Sequence, residues 1–102
     1  MSKHISKDIM EMIKNRIKEG KQLDYIHTLK ISPKYEDRFR GKVYELELEI
    51  DNLDKLIQQA EKGEVYTKCS TDMLREQLEV MLHYVGILYE RAKIEGVDLE
   101  KI

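Results

Sequence analysis

Residue types that often stabilise small folds are scarce in this sequence. Its 102 residues include a single cysteine, Cys69, a single proline and no tryptophan. One cysteine cannot form an intramolecular disulfide or a cysteine zinc site, which indicates a reducing compartment, and we expect the cytoplasm. A chain of this length is also too short for a Rossmann enzyme or a TIM barrel.

The sequence also has few aromatic residues and no long apolar run. Aromatic residues make up 7% of the chain and charged residues 37%, a composition typical of surface helices and not of β-sandwiches or barrels. No apolar stretch approaches the 18 residues of a membrane span, and no signal peptide is visible, so we expect no membrane partner. The net charge of −2 provides no overall field for nucleic acid, so any anion must bind at a local patch.

Catalytic motifs are missing as well. The chain has no GxSxG, HExxH or GxxxxGK[ST] sequence, and we therefore predict a protein that is not an enzyme and has no cofactor. Glu79 and His83 stand at i and i+4, but two ligands do not make a metal site, and we predict none.

Charge divides the chain into two parts. Residues 1–34 carry eight basic and four acidic side chains, whereas residues 35–102 carry ten basic and sixteen acidic ones. The division suggests a basic arm on an acidic body. We predict an N-terminal helical arm over residues 1–31 and a helical-hairpin domain over residues 32–102.

The hairpin's first helix is predicted to begin at Ser32-Pro33, because serine caps a first turn and proline suits the first helical position. Lys62 and Gly63 supply its end. Alternating spacings of four and three residues separate its apolar positions, which is the pattern of a helix with a partner helix. These positions are Phe39, Val43, Leu46, Ile50, Leu53, Ile57 and Ala60.

A second helix follows a short loop. Ser70 or Thr71 can cap it, and Gly96 with Val97 forms its predicted left-handed end. Its apolar positions repeat the same spacing and are Leu74, Leu78, Met81, Val85, Leu88 and Ala92. Two such helices joined by a short loop predict an all-α fold built on a long antiparallel hairpin.

A further apolar stripe on the second helix indicates additional packing. One partner helix cannot cover both stripes, so the surplus must pack on the N-terminal segment, on another subunit, or on both. We therefore expect a homo-oligomer. The stripe comprises Met73, Val80, Tyr84, Ile87 and Ile94.

The N-terminal segment predicts a third helix. Isoleucines recur every four residues at Ile5, Ile9, Ile13 and Ile17, and Gly20 can end the helix. Residues 21–31 alternate like a strand but also fit a helical turn, so their conformation stays open here.

Two clusters could bind an anionic ligand. At the hairpin tip, aromatic, hydroxyl and ammonium groups lie beside the free amides of a helix start. The alternative is a capped loop in which Tyr66 and Cys69 fill the hairpin end. At the start of the first hairpin helix, a tyrosine lies among basic side chains, for which solvated charge is the alternative. The candidate ligand-binding residues are Tyr66, Thr67, Lys68, Ser70 and Thr71 at the tip, and Tyr35, Arg38, Arg40 and Lys42 at the helix start.

Several runs of the hairpin resemble a known group of proteins. They are Tyr35-x-x-Arg38, Glu61-Lys62-Gly63-Glu64, Thr67-x-Cys69-Ser70, and the segment from Leu74 to Leu99 with Gln77, Met81, Tyr84, Arg91 and Glu95-Gly96-Val97-Asp98. The chain over about residues 35–99 resembles the small helical-hairpin proteins of phages and prophages first catalogued in crAss-like phages. Their architecture is similar to that of the hairpin sponges that defeat CBASS and Thoeris immunity. The resemblance implies an oligomer that sequesters cyclic oligonucleotide or cyclic ADP-ribose signals.

Our leading hypothesis is a phage-encoded sponge that binds a cyclic nucleotide signal without cleaving it. Bases would stack on Tyr35 or Tyr66, while Arg38, Arg40 and Lys68 would contact phosphates. The alternative is an interaction module or inhibitor that docks on a protein through its acidic face or N-terminal arm. Direct DNA binding by the basic arm ranks third, because the acidic body opposes it.

Overall fold

The computed structural model describes residues 3–18 and 23–100, which form four α-helices. They are α1 (Lys3–Lys18), α2 (Leu23–Lys30), α3 (Tyr35–Glu61) and α4 (Thr71–Glu95). No strand occurs in these two ranges, and the all-α prediction is confirmed. No helix within them combines the length and the apolarity that crossing a bilayer requires.

Helices α3 and α4 form the predicted antiparallel hairpin. Tyr35 at the start of α3 bonds to Glu95 at the end of α4, and Glu61 at the end of α3 pairs with Arg75 near the start of α4. The apolar positions of the two helices meet between them, and burial of each large apolar side chain there stabilises the fold by about 1.5–3 kcal/mol. The buried residues among these positions are Phe39, Val43, Leu46, Ile50 and Ile57 of α3 and Val85, Leu88 and Ala92 of α4.

Local capping sets both ends of α4. The Ser70 hydroxyl accepts a hydrogen bond from the Met73 amide at 3.2 Å, which satisfies one free donor of the first turn. At the other end Gly96 has a φ of 74°, and the Val97 amide donates to the Ala92 carbonyl at 2.8 Å. This is the predicted left-handed end, which glycine forms without steric cost.

The start of α3 differs from the prediction. The helix begins at Tyr35, with Lys34 as an N-cap that makes no side-chain capping bond, so Ser32-Pro33 lies outside it. The Ser32 hydroxyl instead accepts from the Lys34 amide at 3.1 Å and donates to Asp37 at 2.8 Å. Helix α2 ends at Lys30, so Ser32 lies in the turn between α2 and α3, and its two hydrogen bonds stabilise that turn.

Residues 21–31, left open by the sequence, contain helix α2. Its Ile26 and Leu29 side chains are buried in the core shared with α3. The close approach occurs at Gly41, where an added Cβ atom would lie 2.9 Å from Lys30 Cγ and 3.1 Å from the Lys30 backbone nitrogen. A glycine at this position therefore lets α2 pack directly on the backbone of α3.

Helix α1 packs across α3 and α4 with Ile13 fully buried, which confirms the third helix. Gly20, its predicted end, lies outside the described residues. Several basic groups of the arm face carboxylates of α3, so much of the charge division is neutralised inside one chain. These ion pairs are Lys14 with Asp51 at 2.9 Å, Arg16 with Glu47 at 2.9 Å and Lys30 with Glu45 at 2.8 Å. The domain boundary at residues 31 and 32 stays a prediction.

Candidate ligand-binding face

Tyr35, one of the predicted ligand-binding residues, contacts the Arg91 guanidinium of α4. The Tyr35 ring is 45% exposed at the start of α3, and its hydroxyl donates to Glu95 and accepts from Arg91 Nη2 at 3.2 Å. The hydrogen bond to Glu95 raises the pKa of Tyr35 above its usual value and lowers the pKa of Glu95. At neutral pH this end of the hairpin therefore presents a neutral phenol ring beside the Arg91 guanidinium and the ionised Glu95 carboxylate.

A second tyrosine and cation lie further along the same hairpin. The Lys42 ammonium is 5.6 Å from the ring centroid of Tyr84, which is 40% exposed. This distance is within the range of a cation–π contact. Within the described part of the chain Lys42 forms no ion pair, so its charge is available to an added anion.

The two pairs are related by the antiparallel register. Lys42 follows Tyr35 by seven residues on α3, and Arg91 follows Tyr84 by seven residues on α4. Two helical turns place each residue on the same side of its helix as its counterpart, about 10 Å further along the axis. We call Tyr35, Lys42, Tyr84 and Arg91 the tyrosine–cation face.

The two other predicted residues at the helix start are placed differently. Arg40 is 9% exposed, and its Nε donates to the Asp98 carbonyl at 2.6 Å while Nη1 pairs with Asp37 at 3.2 Å. It holds the segment after α4 against α3. Arg38 is exposed and donates to the Ser32 carbonyl at 3.0 Å. The structure thus brings Tyr35 and Lys42 to a common face but does not bring Arg40 there.

The predicted residues at the hairpin tip lie far from this face. Because α3 has 27 residues, about 40 Å separates its two ends, and one chain cannot place both clusters in one pocket. Thr67 donates to the Cys69 carbonyl at 2.8 Å, Ser70 caps α4, Thr71 is its first residue and Lys68 is exposed. Tyr66 is 88% exposed and Cys69 is exposed, so the alternative in which they fill the hairpin end is wrong. Ligand binding at the tip stays a prediction.

Sequence reasoning did not assign Tyr84 and Arg91 to the ligand site. In the sequence Tyr84 belongs to the apolar stripe, and Arg91 belongs to the runs that carry the resemblance. A pattern that could have found them is the pair of tyrosine-to-cation spacings of seven residues, one on each hairpin helix.

A buried polar network connects α1, α3 and α4 beneath the surface. Arg16 pairs with Glu47 and also donates to the Leu99 carbonyl at 2.7 Å, and Tyr89 donates to Glu47 at 2.6 Å. Burial raises the pKa of Glu47, while Arg16 and Tyr89 act to lower it. Burial also raises the pKa of Tyr44 to about 12, and its hydroxyl donates to Leu99. These side chains hydrogen-bond to one another and to the Leu99 carbonyl, and the network holds α1, α3 and α4 together.

An open groove of about 890 Å³ lies between α1 and the second half of α4. Ile9 and Met12 of α1 and Gly86 and Ile87 of α4 contribute apolar lining. The groove contains none of the residues that the sequence predicted for the ligand. Across the described side chains no group of three or more histidine, cysteine or carboxylate residues could hold a metal ion.

Comparison with known proteins identifies a family. The model of the Sequestin family matches residues 33–94, which include α3, the tip and nearly all of α4. The family name denotes sequestration, a binding role. No curated protein and no solved structure matches the chain. Because the match covers more than half of the sequence, the protein belongs to the Sequestin family.

Proposed function

We propose that this protein sequesters a cyclic nucleotide signal, of cyclic oligonucleotide or cyclic ADP-ribose type, in pockets of a homo-oligomer. In this proposal it is a phage-encoded anti-defence protein that binds the signal tightly and does not convert it. Membership of a family named for sequestration supports a binding role over an enzymatic one.

The observation that carries the proposal is the tyrosine–cation face. A cyclic nucleotide presents aromatic bases and phosphates within one small ring, and each half of the face offers one aromatic ring and one cation. Bases stack on exposed tyrosines with about 1–3 kcal/mol each. Lys42 and Arg91 provide charge-assisted hydrogen bonds to phosphate oxygens.

The two cations differ in how they would bind. Arg91 is shared with Glu95, whose Oε2 accepts from Arg91 Nε at 3.0 Å, so its guanidinium is already oriented. The Lys42 ammonium contacts the Tyr84 ring and pairs with no carboxylate among the described residues, so its charge is more available to a ligand than that of Arg91. We expect Lys42 to contribute most to phosphate affinity and Arg91 to fix orientation.

Uptake of a defined panel tests the proposal. Purified protein is mixed with cyclic di- and trinucleotides and cyclic ADP-ribose isomers, filtered, and heated to release what it holds for detection by mass spectrometry. We expect one class to be retained and recovered unchanged. Retention of no member of the panel would refute the proposal, and recovery of a hydrolysed product would refute binding without turnover.

Matched tyrosine variants locate the site. Tyr84→Ala should weaken binding about 5- to 150-fold, the effect of one lost base stack. Tyr66→Ala is the control, because it removes an exposed tyrosine at the other end of α3. Loss of uptake in Tyr66→Ala but not in Tyr84→Ala would place the site at the hairpin tip.

A further inference from the structure

The segment after α4, residues 97–100, is held by side chains from other helices, and we call it the C-terminal strap. The Asp98 carbonyl accepts a hydrogen bond from Arg40 Nε at 2.6 Å, while Arg40 Nη1 pairs with Asp37 in the first turn of α3 at 3.2 Å. Arg40 is 9% exposed, so its charge-assisted hydrogen bond to the strap is shielded from water. Arg40 thus ties the strap to the start of α3.

Two further side chains hold the next residue of the strap. The Leu99 carbonyl accepts from the Tyr44 hydroxyl of α3 at 2.5 Å and from Arg16 Nη1 of α1 at 2.7 Å. Arg16 also pairs with the Glu100 carboxylate at 3.1 Å. Both α3 and α1 therefore anchor the strap.

The strap directly follows the end of α4 that carries half of the tyrosine–cation face. Asp98 comes seven residues after Arg91 and three residues after Glu95. Tyr35, which bonds to both Arg91 and Glu95, is the first residue of α3. This half of the face therefore joins two helix ends, where backbone groups lack partners within the helix and fraying is easiest.

The other half of the face lies within both helices. Lys42 is two turns from the start of α3, and Tyr84 lies in the middle of α4. Helical hydrogen bonds continue on both sides of each position, so the contact between these two residues does not depend on the strap. The two halves of the face therefore differ in what keeps them in place.

We infer that Arg40 is a positioning residue for the tyrosine–cation face, because its bond to the strap keeps the last turns of α4 in contact with Tyr35. The Arg91 guanidinium lies 5.1 Å from the ring centroid of Phe39, the residue before Arg40. One short segment of α3 thus provides both the ring beneath Arg91 and the anchor that keeps Arg91 over that ring. Arg40 contacts no ligand in this arrangement and acts through the strap.

Ionisation of Tyr35 reports this positioning in the ligand-free protein. The hydrogen bond to Glu95 raises the pKa of Tyr35 above its ordinary value of 10. In Arg40→Met the strap loses an anchor, and we expect the pKa of Tyr35 to fall towards 10, measured by NMR titration of protein with ring-labelled tyrosine. Arg75→Met is the matched control, because it removes an ion pair between α3 and α4 at the opposite end of the hairpin and should leave the pKa of Tyr35 unchanged.

A second variant perturbs the strap more gently. Tyr44→Phe removes only the hydroxyl that bonds the Leu99 carbonyl, and the pKa of Tyr35 should fall in this variant too, but by less. Circular dichroism checks that each variant folds. An unchanged pKa of Tyr35 in folded Arg40→Met, or in Tyr44→Phe where Arg40→Met does not fold, would overturn the proposal. An equal fall of the pKa in Arg75→Met would overturn it as well.

The consequence for binding rests on the proposed function. For the member of the cyclic nucleotide panel that the natural chain retains, Arg40→Met should bind about 5- to 150-fold more weakly, the usual range of coupling between separate sites. The losses in Arg40→Met and Arg91→Met should not add, because Arg40 acts through the end of α4 that carries Arg91. Additive losses would overturn the positioning role in binding. Retention of no panel member by the natural chain would refute the proposed function alone, since the ionisation of Tyr35 is measured without ligand.

Discussion

Removal of the Arg16 charge gives a direct test of the buried network. Arg16 and Glu47 are both buried, at 4% and 1% exposure, and Glu47 also accepts a hydrogen bond from Tyr89. The Arg16→Met variant keeps the apolar stem but leaves the Glu47 carboxylate without its cation. Loss of one partner from a buried ion pair costs about 3–5 kcal/mol of folding free energy.

The expected loss is large for a chain of this size. Domains are stable by about 5–15 kcal/mol, and each kcal/mol shifts the midpoint of thermal unfolding by about 4–8 °C at this length. Arg16→Met should therefore lower the melting temperature by roughly 12–40 °C. Thermal and urea unfolding followed by circular dichroism measure it, at one fixed protein concentration because association would add stability.

The effect of Glu47→Gln on folding stability should change sign between the natural chain and the Arg16→Met variant. In the natural chain it should destabilise by up to about 3–5 kcal/mol, because it leaves the buried Arg16 guanidinium without the carboxylate that faces it. In Arg16→Met it should stabilise, because it removes an unpaired buried charge. Equal effects of Glu47→Gln in the two backgrounds would refute the claim that the two side chains act as a pair.

The pH dependence follows from the same network. Burial raises the pKa of Glu47 in the folded chain above its ordinary value of 4.5. The folded state then binds more protons than the unfolded state, so the contribution of Glu47 to stability falls as the pH rises above 4.5. Without Arg16 this decline should be steeper, and Arg16→Met should become more stable as the pH is lowered from 7 towards 5. A pH-independent stability difference between Arg16→Met and the natural chain would contradict this account.

Three further predictions are local. Gly41→Ala should destabilise by about 1–3 kcal/mol because its Cβ would clash with α2, whereas Gly86→Ala, whose Cβ would meet only Ile9 at 3.8 Å, should stabilise by about 0.5–1 kcal/mol; urea unfolding of both checks the contrast. Ser70→Ala should cost about 1 kcal/mol by removal of the α4 cap, measured the same way. Asp51→Asn should cost about 1 kcal/mol at pH 7. Burial acts to raise the pKa of Asp51, but the hydrogen bonds and charges of Lys14 and Lys55 outweigh it, and the net effect holds the pKa below 3.8. The unfolding free energies of the variant and the natural chain should therefore converge as the pH falls below that value.

Much of the hairpin is determined by neighbours in the sequence. Ser70 caps α4 and Gly96 ends it because each acts on backbone groups within a few residues. The alternating three- and four-residue spacing placed Val43, Ile50 and Leu88 in the core, since helical periodicity alone sets which side chains share a face.

Contacts between distant segments decided the rest. The sequence left residues 21–31 open because the choice of helix depends on the docking of Ile26 and Leu29 on α3. Arg40 was predicted to bind a ligand, and only the fold shows that the Asp98 carbonyl holds it.

Contacts between distant segments also form the tyrosine–cation face. Tyr84 meets Lys42 across 42 positions of chain, and Tyr35 meets Arg91 across 56. The sequence by itself determined two amphipathic helices and their ends, because periodicity and capping are local. The tertiary structure alone decided which charged groups are buried and which rings and cations share a face, since those depend on the register of the packed hairpin.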